Sequence, residues 1–591
     1  MNRSFALLWA LLLGVAATWL PAQPPVPAGY DLEELPIAIL PEVGRRVVSP
    51  VAVRLVVPLD PAFLELGTVR LALDDRDITP LLWALVATRP AALEPFLSGA
   101  AVRGALALGL GEHRLVFSAR NRTGYRHEAR TRFTVITEDE RRLRAGEPLP
   151  AARTSDVTPP LLDFTPDQNA FVSSATPRLE IRYVDEPGGS GVNTATLRVW
   201  LDSREITSAL VIGPAAASYA VPPAAPLPNG RREIRAEIED HARNLARSSV
   251  TFIVFDEASR LAWSFPPTTQ PHIVGHAHHS YQNYSSAPES AYFHHGIDIM
   301  EPGGTSVYAS AGGLVMNLGR YQPSSLYFEV AIRDADGFLW EYHHIDETAV
   351  PQAVKDAYAN KTPLPAGTLI GKNVVWPVKS HYGPYFHHIH LNVKDPDGRY
   401  LNGLHFLLKT RDVTLPTLYG IYVVPQGGEA ALNRTDEHDV VISGDVDIVV
   451  RADDTIAPDP YQLGIYEIRY AITELSASEG HNLDDTVLWR FDHLPGGAST
   501  TAQVWDVHRQ RIRHDGQTYT TQGDYNGRRF YYVVTNSDGK SLKEANCWRT
   551  AARDAYAKRL YPDGTYRITV TLRDEAGNES LKTLDVQVRN P

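Results

Sequence analysis

Along most of this chain apolar residues alternate with polar ones at a period of two, and patterns recurring every third or fourth position are few, which predicts strands with one buried face. One such stretch, Val69 to Leu73, runs into a short acidic turn, Asp74-Asp75-Arg76-Asp77-Ile78-Thr79. The pattern returns 128 residues later (202 minus 74) as Leu197 to Leu201 followed by Asp202-Ser203-Arg204-Glu205-Ile206-Thr207. Downstream, Leu110 to Phe117 and Pro228 to Arg235 each read as a turn leading into an alternating strand. A third occurrence of this late pattern spans Tyr561 to Val570, and its closing turn, Asp574 to Asn578, matches Asp240 to Asn244. Further strand-like runs are Gly420 to Val424 and Val446 to Val450. Asp334-Ala335-Asp336-Gly337 and Asp395-Pro396-Asp397-Gly398 read as hairpin turns. Pro351 to Asn360 is the one convincing short helix, with Pro351 suited to its first turn.

A domain-sized repeat of strands and turns resembles bacterial Ig-like sandwich modules. At 591 residues the chain exceeds one hydrophobic core, and 43 prolines and 27 tyrosines agree with mostly β structure. Arg141 to Ser155 and Ser264 to Pro271 read as linkers, Pro80 to Gly109 as an insert adding a short helix, and about Ser476 to Lys558 as an insertion in the last sandwich. The formal net charge of −12 gives no support to a nucleic-acid partner. Met1-Asn2-Arg3, the apolar run Phe5 to Leu20 and Pro21-Ala22 describe a secretory signal peptide removed between Ala17 and Ala22. That run is shorter than the ~20 residues of a spanning helix, so no stable membrane anchor is expected after cleavage. The sole cysteine, Cys547, excludes an intramolecular disulfide. The mature protein is expected to be exported, to the periplasm or beyond the cell.

Thirteen of the 21 histidines fall between His272 and His405, which points to a metal site. Zinc takes nitrogen ligands with an occasional carboxylate, and a catalytic zinc keeps three protein ligands and an open position. His294, Asp298 and His390 would supply that set. Strand alternation puts His388 and His390 on one face with His387 on the other, and by the same parity Tyr342 and His344 share a face that leaves out His343.

The order His294-x-Gly296-x-Asp298, Tyr342-x-His344, His388-x-His390 resembles the LytM/lysostaphin-type zinc metallopeptidases of the M23 family. Gly304 to Gly313 and Gly367 to Gly371 resemble that family's intervening strands, over roughly Ala262 to Pro416. The resemblance implies zinc on His294, Asp298 and His390, with His344 and His388 as the catalytic histidines. His388 is then the favoured base and His344 the partner of the oxyanion, an assignment sequence leaves open. Asn392 stands where the family usually has Glu, Tyr385-Phe386-His387 replaces the usual lead-in, and the upstream Gly-x-Arg is missing.

The expected fold is mostly β: an antiparallel-β LytM-like metallopeptidase domain with flanking Ig-like β-sandwich domains. The expected layout is 1–22 signal peptide, 30–140 and 156–256 sandwiches, 262–416 zinc peptidase and 417–591 a C-terminal sandwich. The implied activity is a zinc endopeptidase acting on peptidoglycan peptides. A peptidase of exported proteins, and an inactive wall-binding, regulatory or scaffold protein, are the alternatives. His276-Ala277-His278-His279 has metal-like spacing but no counterpart in the family and reads as a surface loop. Asp453, Asp454, Asp484 and Asp485 have the oxygen ligands calcium uses, and are read as solvated loop charge.

Overall fold

The computed structural model describes residues 37–590, apart from 42–43, 58–64, 89–92, 97–98, 121–124, 138–140, 142–155, 187, 284–290, 378, 380–384, 476–482, 496–500, 524–526, 538–545 and 554–558. The expected signal peptide and nearly all of the expected Arg141 to Ser155 linker lie outside these residues. The molecule is mostly β, with a central antiparallel sheet between β-sandwiches.

Each sandwich pairs a five-stranded sheet with a smaller one, and alternation along the strands builds the core between them. In Gly111–Arg120 the inward positions Leu115, Phe117 and Ala119 are buried, and they meet Val51 and Leu55 of the facing sheet. In all three sandwiches a short strand pairs in parallel with the last long one: Arg46–Val48 with Arg126–Ile136, Phe171–Val172 with Leu245–Val254, and Val440–Ile442 with Glu579–Val588. The sequence repeat is a repeat of bonding. Asp74 and Asp202 both adopt positive φ, at 49° and 53°, which a short Asx side chain tolerates. Each carboxylate accepts a backbone N–H, from Arg114 at 2.8 Å and from Glu233 at 3.0 Å. Thr79 and Thr207 likewise accept from Leu71 N and Val199 N. The insert of the first sandwich does carry a helix, Thr79–Thr88, followed by two strands.

The central sheet comprises β1 (Ile273–His276), β2 (Ile297–Met300), β3 (Gly313–Arg320), β4 (Phe328–Arg333), β5 (Leu339–Tyr342), β6 (Pro363–Leu364), β7 (His388–Lys394) and β8 (Tyr400–Leu401). Their order is β1-β2-β7-β5-β4-β3-β6, with β8 paired to the end of β7. Both hairpin turns form where expected, Asp334 to Gly337 joining β4 to β5 and Asp395 to Gly398 joining β7 to β8. The helix is Gln352–Asn360, with Pro351 as its N-cap rather than in its first turn.

Ser264 to Pro271 begins as core, not as a linker. Ser264 and Phe265 are fully buried, and Trp263 Nε1 donates to Leu408 O at 2.9 Å, because the segment closes one end of the central sheet's core. The β7–β8 hairpin touches every other module. Arg132 of the first sandwich and Arg231 of the second both pair with Asp397, at 3.2 and 3.3 Å. Arg399, itself buried and paired with Asp395 at 2.6 Å, donates to Asn169 O. Tyr400 packs into the core of the C-terminal sandwich.

Candidate metal centre

β2 and β7 lie side by side with Asp298 opposite His390 and Met300 opposite His388. Gly296 makes that approach possible: a Cβ there would lie 2.2 Å from Leu391 O. Three donors converge as a result. His294 Nε2 is 3.1 Å from Asp298 Oδ1, His390 Nδ1 is 3.1 Å from the same oxygen, and the two ring nitrogens are 3.0 Å apart.

The outer nitrogens decide what this triangle is. His294 Nδ1 lies 3.0 Å from Ala277 O, and His390 Nε2 lies 2.8 Å from Asn392 Oδ1. Asn392 Nδ2 donates to Glu341 Oε2 at 3.2 Å, which turns the amide oxygen towards His390. Each outer nitrogen faces an oxygen acceptor and therefore carries the proton, leaving a lone pair on each inner nitrogen. Two imidazole lone pairs and a carboxylate then share one point. Their mutual repulsion in a buried setting is relieved by a cation at the centre. Donors on a tetrahedral zinc, with bonds of ~2.0–2.1 Å, sit ~3.3 Å apart, close to the spacings here. The donor set therefore fits zinc. Burial works to raise the Asp298 carboxyl, yet the imidazoles of His294 and His388 beside it hold it well below the usual carboxylate range.

His388 and His344 stand beside the triangle. His388 Nε2 is 3.8 Å from Asp298 Oδ1, and the His344 and His388 ring centroids are 4.7 Å apart. His388 Nδ1 bonds Phe386 O at 2.7 Å and His344 Nδ1 bonds Leu326 O at 2.8 Å, so the Nε2 atoms are the inward ones. His344 Nε2 makes no hydrogen bond. Burial, then the neighbouring His388, pushes His344 well below the ordinary histidine range, so its imidazole is neutral at pH 7. Trp376, Phe386 and Tyr327 pack against these rings. All five candidate side chains are at most 1% exposed.

Strand parity is right for β7 but not for the Tyr342 to His344 stretch. His387 is set apart, its Nδ1 accepting from Trp376 N at 2.9 Å. β5, however, ends at Tyr342, whose hydroxyl accepts from Ser310 N, and His344 reaches the centre through a left-handed backbone with φ of 62°. His343, which alternation sends away, lies beside His390 with ring centroids 5.3 Å apart and Nε2 3.0 Å from Glu329.

His276 to His279 is not a surface loop. All three histidines are at most 1% exposed, because β1 lays His276 against β2 and the C-terminal sandwich covers the segment that follows. His276 sits opposite Asp298, stacks on His294 at 4.2 Å, and places a ring nitrogen near the ligating atoms of both. His278 Nδ1 bonds His295 O at 2.7 Å, and His279 stacks on Phe491 at 4.3 Å. His276 thus places a donor at the centre that the surface-loop reading had set aside; its metal-like spacing and the strand-like Ile273-Val274-Gly275-His276 were its signals. The acidic pair Asp453 and Asp454 is also buried, at 4% and 2% exposure: Asp453 ends the strand Asp445–Asp453 and accepts from Tyr419 Oη and Gln462 Nε2, each at 3.0 Å, and Asp454 follows it. The Asp484 and Asp485 side chains lie outside the described residues.

No family model and no curated protein matches the chain. Among solved structures, one assigned to peptidase M23 from Pseudomonas aeruginosa is 14% identical, with 43% of this chain and 96% of that one covered and a TM-score of 0.16. Fibronectin(III)-like modules of Clostridium thermocellum CbhA are 13% identical over 37% of this chain and 94% of theirs, TM-score 0.13. The N-terminal Ig1-2 module of a Drosophila receptor protein tyrosine phosphatase is 9% identical over 37% and 99%, TM-score 0.13. Likeness at these scores says nothing about this chain's chemistry.

Proposed function

We propose that this protein is an exported zinc-dependent endopeptidase with peptidoglycan peptides as substrate. The observation that carries this reading is the convergence of the His294, Asp298 and His390 donor atoms at 3.0–3.1 Å, with the outer nitrogen of each histidine already engaged. His294, Asp298 and His390 hold the metal, which supplies Lewis-acid activation of water and polarisation of a scissile carbonyl when bound.

The protein's own groups supply the rest. His388, kept in one tautomer by Phe386 O, presents Nε2 to take a proton from water and return it to the leaving amine. His344, neutral and oriented by Leu326 O, presents Nε2 to the developing oxyanion or shares the acid role. Trp376, Phe386 and Tyr327 exclude bulk water, and a peptide reaches the rings only when that cover moves. The wall substrate rests on the sequence resemblance to M23 peptidases. A peptidase of exported proteins would use the same centre.

Zinc content and muropeptide release by the purified chain test the reading. Wild type should hold one zinc per chain and release muropeptides, and His390→Ala should do neither. His388→Ala should keep its zinc and lose ~10²-fold or more in rate. A wild-type protein free of zinc after purification in zinc-containing buffer refutes the proposal. A zinc-loaded chain that cleaves exported proteins and no wall preparation moves the substrate and leaves the mechanism.

A further inference from the structure

We infer that the end of the C-terminal sandwich nearest the central sheet binds a calcium ion through Asp412, Asp454 and Asp574. Three separate stretches bring these carboxylates together. Asp412 lies five residues before the strand Thr417–Pro425, Asp454 directly follows Asp445–Asp453, and Asp574 directly follows Gly564–Arg573. One oxygen from each lies within 4.8 Å of the others. Calcium takes six to eight oxygens at ~2.3–2.6 Å, so ligands on opposite sides of the ion are ~4.6–5.2 Å apart and this spacing accommodates it. An all-oxygen donor set without nitrogen or sulfur disfavours zinc.

Asp454 supplies the independent pointer. It is 2% exposed, its Oδ1 has no hydrogen-bond partner, and the charges that bear on it are those of Glu575, Asp574 and Asp412, all negative. Among the described residues no Lys, Arg or His pairs with any of the four. The Thr455 backbone is the one hydrogen-bonding group that favours the ionised form of Asp454, and a buried carboxylate with one oxygen unsatisfied and three other acids facing it is costly; a divalent cation removes that cost. The surrounding bonds fix the carboxylates while leaving lone pairs for a metal. Thr414 N donates to Asp412 Oδ1 at 2.9 Å, and Asn578 donates to both Asp574 oxygens at 2.8 Å.

The second sandwich shows the same arrangement satisfied in another way. Asp156-Val157-Thr158 precedes its first strand as Asp412-Val413-Thr414 does here, and Asp240 and Asn244 match Asp574 and Asn578. There, however, Ser190 N donates to Asp156 at 2.7 Å and Gly191 N to Asp185 at 2.6 Å, so backbone N–H groups occupy the space between the carboxylates. At Asp454, by contrast, Oδ1 receives no N–H from the described residues. An ion there would tie the strand leaving the central sheet to the last hairpin, next to the Asn402 to Glu575 bond at 3.1 Å.

Calorimetric titration of the full chain with CaCl₂ in metal-depleted buffer, beside thermal melts, tests this. The expected result is one saturable site and a midpoint raised by ~5 °C at ~2 mM CaCl₂, with a much smaller shift for MgCl₂. Asp454→Asn and Asp574→Asn should abolish the calcium shift. Asp454→Asn should melt no lower than wild type without calcium, which separates lost binding from lost folding. Absence of saturable binding to wild type overturns the inference, as does an Asp454→Asn protein that keeps the full calcium shift. His390→Ala should leave the calcium shift intact, so a failed zinc centre and a failed calcium site are told apart.

Discussion

Gly296 has space for a hydrogen and nothing larger, with Leu391 O and Asn392 Oδ1 at 2.2 and 2.6 Å from the place a Cβ would take. Gly296→Ala should therefore push β2 from β7, part Asp298 from His390, and cost zinc content together with ~2–4 kcal/mol of stability, read by metal analysis and denaturant melts. Asn392 acts one step further out. It holds the His390 tautomer, so Asn392→Ala should weaken zinc affinity ~10–100-fold with little change in melting of the zinc-free chain, measured by competition with a chromogenic chelator. At this scale the motif spacings were informative: His294, Asp298, His344, His388 and His390 do meet. Asn392 registered only as a departure from a pattern, because the bond that gives it work runs along one face of β7, between residues two apart, and depends on Glu341 from β5. His276 escaped because it joins the centre through strand pairing with β2, and register across a pair cannot be read from one strand's periodicity.

Strands and turns were the legible part of the elements. Alternation, the Asp-Gly turns and the short helix come from local chemistry, and each formed near its expected place. What sequence misjudged were stretches whose contacts lie elsewhere in the fold: Ser264 with Phe265, His276 to His279, and Asp453 with Asp454 look like surface and are buried. Asp492 shows the same principle with a measurable consequence. Its carboxylate receives His405 at 3.1 Å from just past β8, Arg490 at 2.6 Å, and the Tyr466 hydroxyl. Burial alone would raise it, but His405 and Arg490 outweigh that and bring it down to about 2. A carboxyl lowered on folding adds stability that is complete above its unfolded value near 3.8 and is lost as pH falls from there through about 2. Thermal melts from pH 6 to ~2 should show that acid limb in wild type. Asp492→Asn should flatten it and lower stability at pH 7 by about 3 kcal/mol.

Across the whole molecule the central sheet does not own its core. Phe171, Ile253 and Phe255 from the second sandwich and Tyr461 and Leu463 from the last one are packed into it, while Tyr281, Phe293 and Tyr400 are lent to the C-terminal core. Residues 262–416 expressed alone should therefore expose apolar surface, bind a hydrophobic dye and precipitate, whereas the full chain should not. The sequence repeat made the sandwiches legible as modules, but not this sharing, since contacts between modules carry no periodic signature. Arg528 is part of the same arrangement: its guanidinium donates to Gly275 O on β1 and to Gln462 O, each at 2.7 Å. Gly275 and Arg528 are 253 residues apart, so the wall behind His276 exists only after nearly nine-tenths of the chain has been made. During synthesis the histidines would thus emerge long before the residues that enclose them. Chains truncated before Arg528 should be trapped with the centre open, detectable as histidines that react with diethyl pyrocarbonate in the truncated chain and resist it in the complete one.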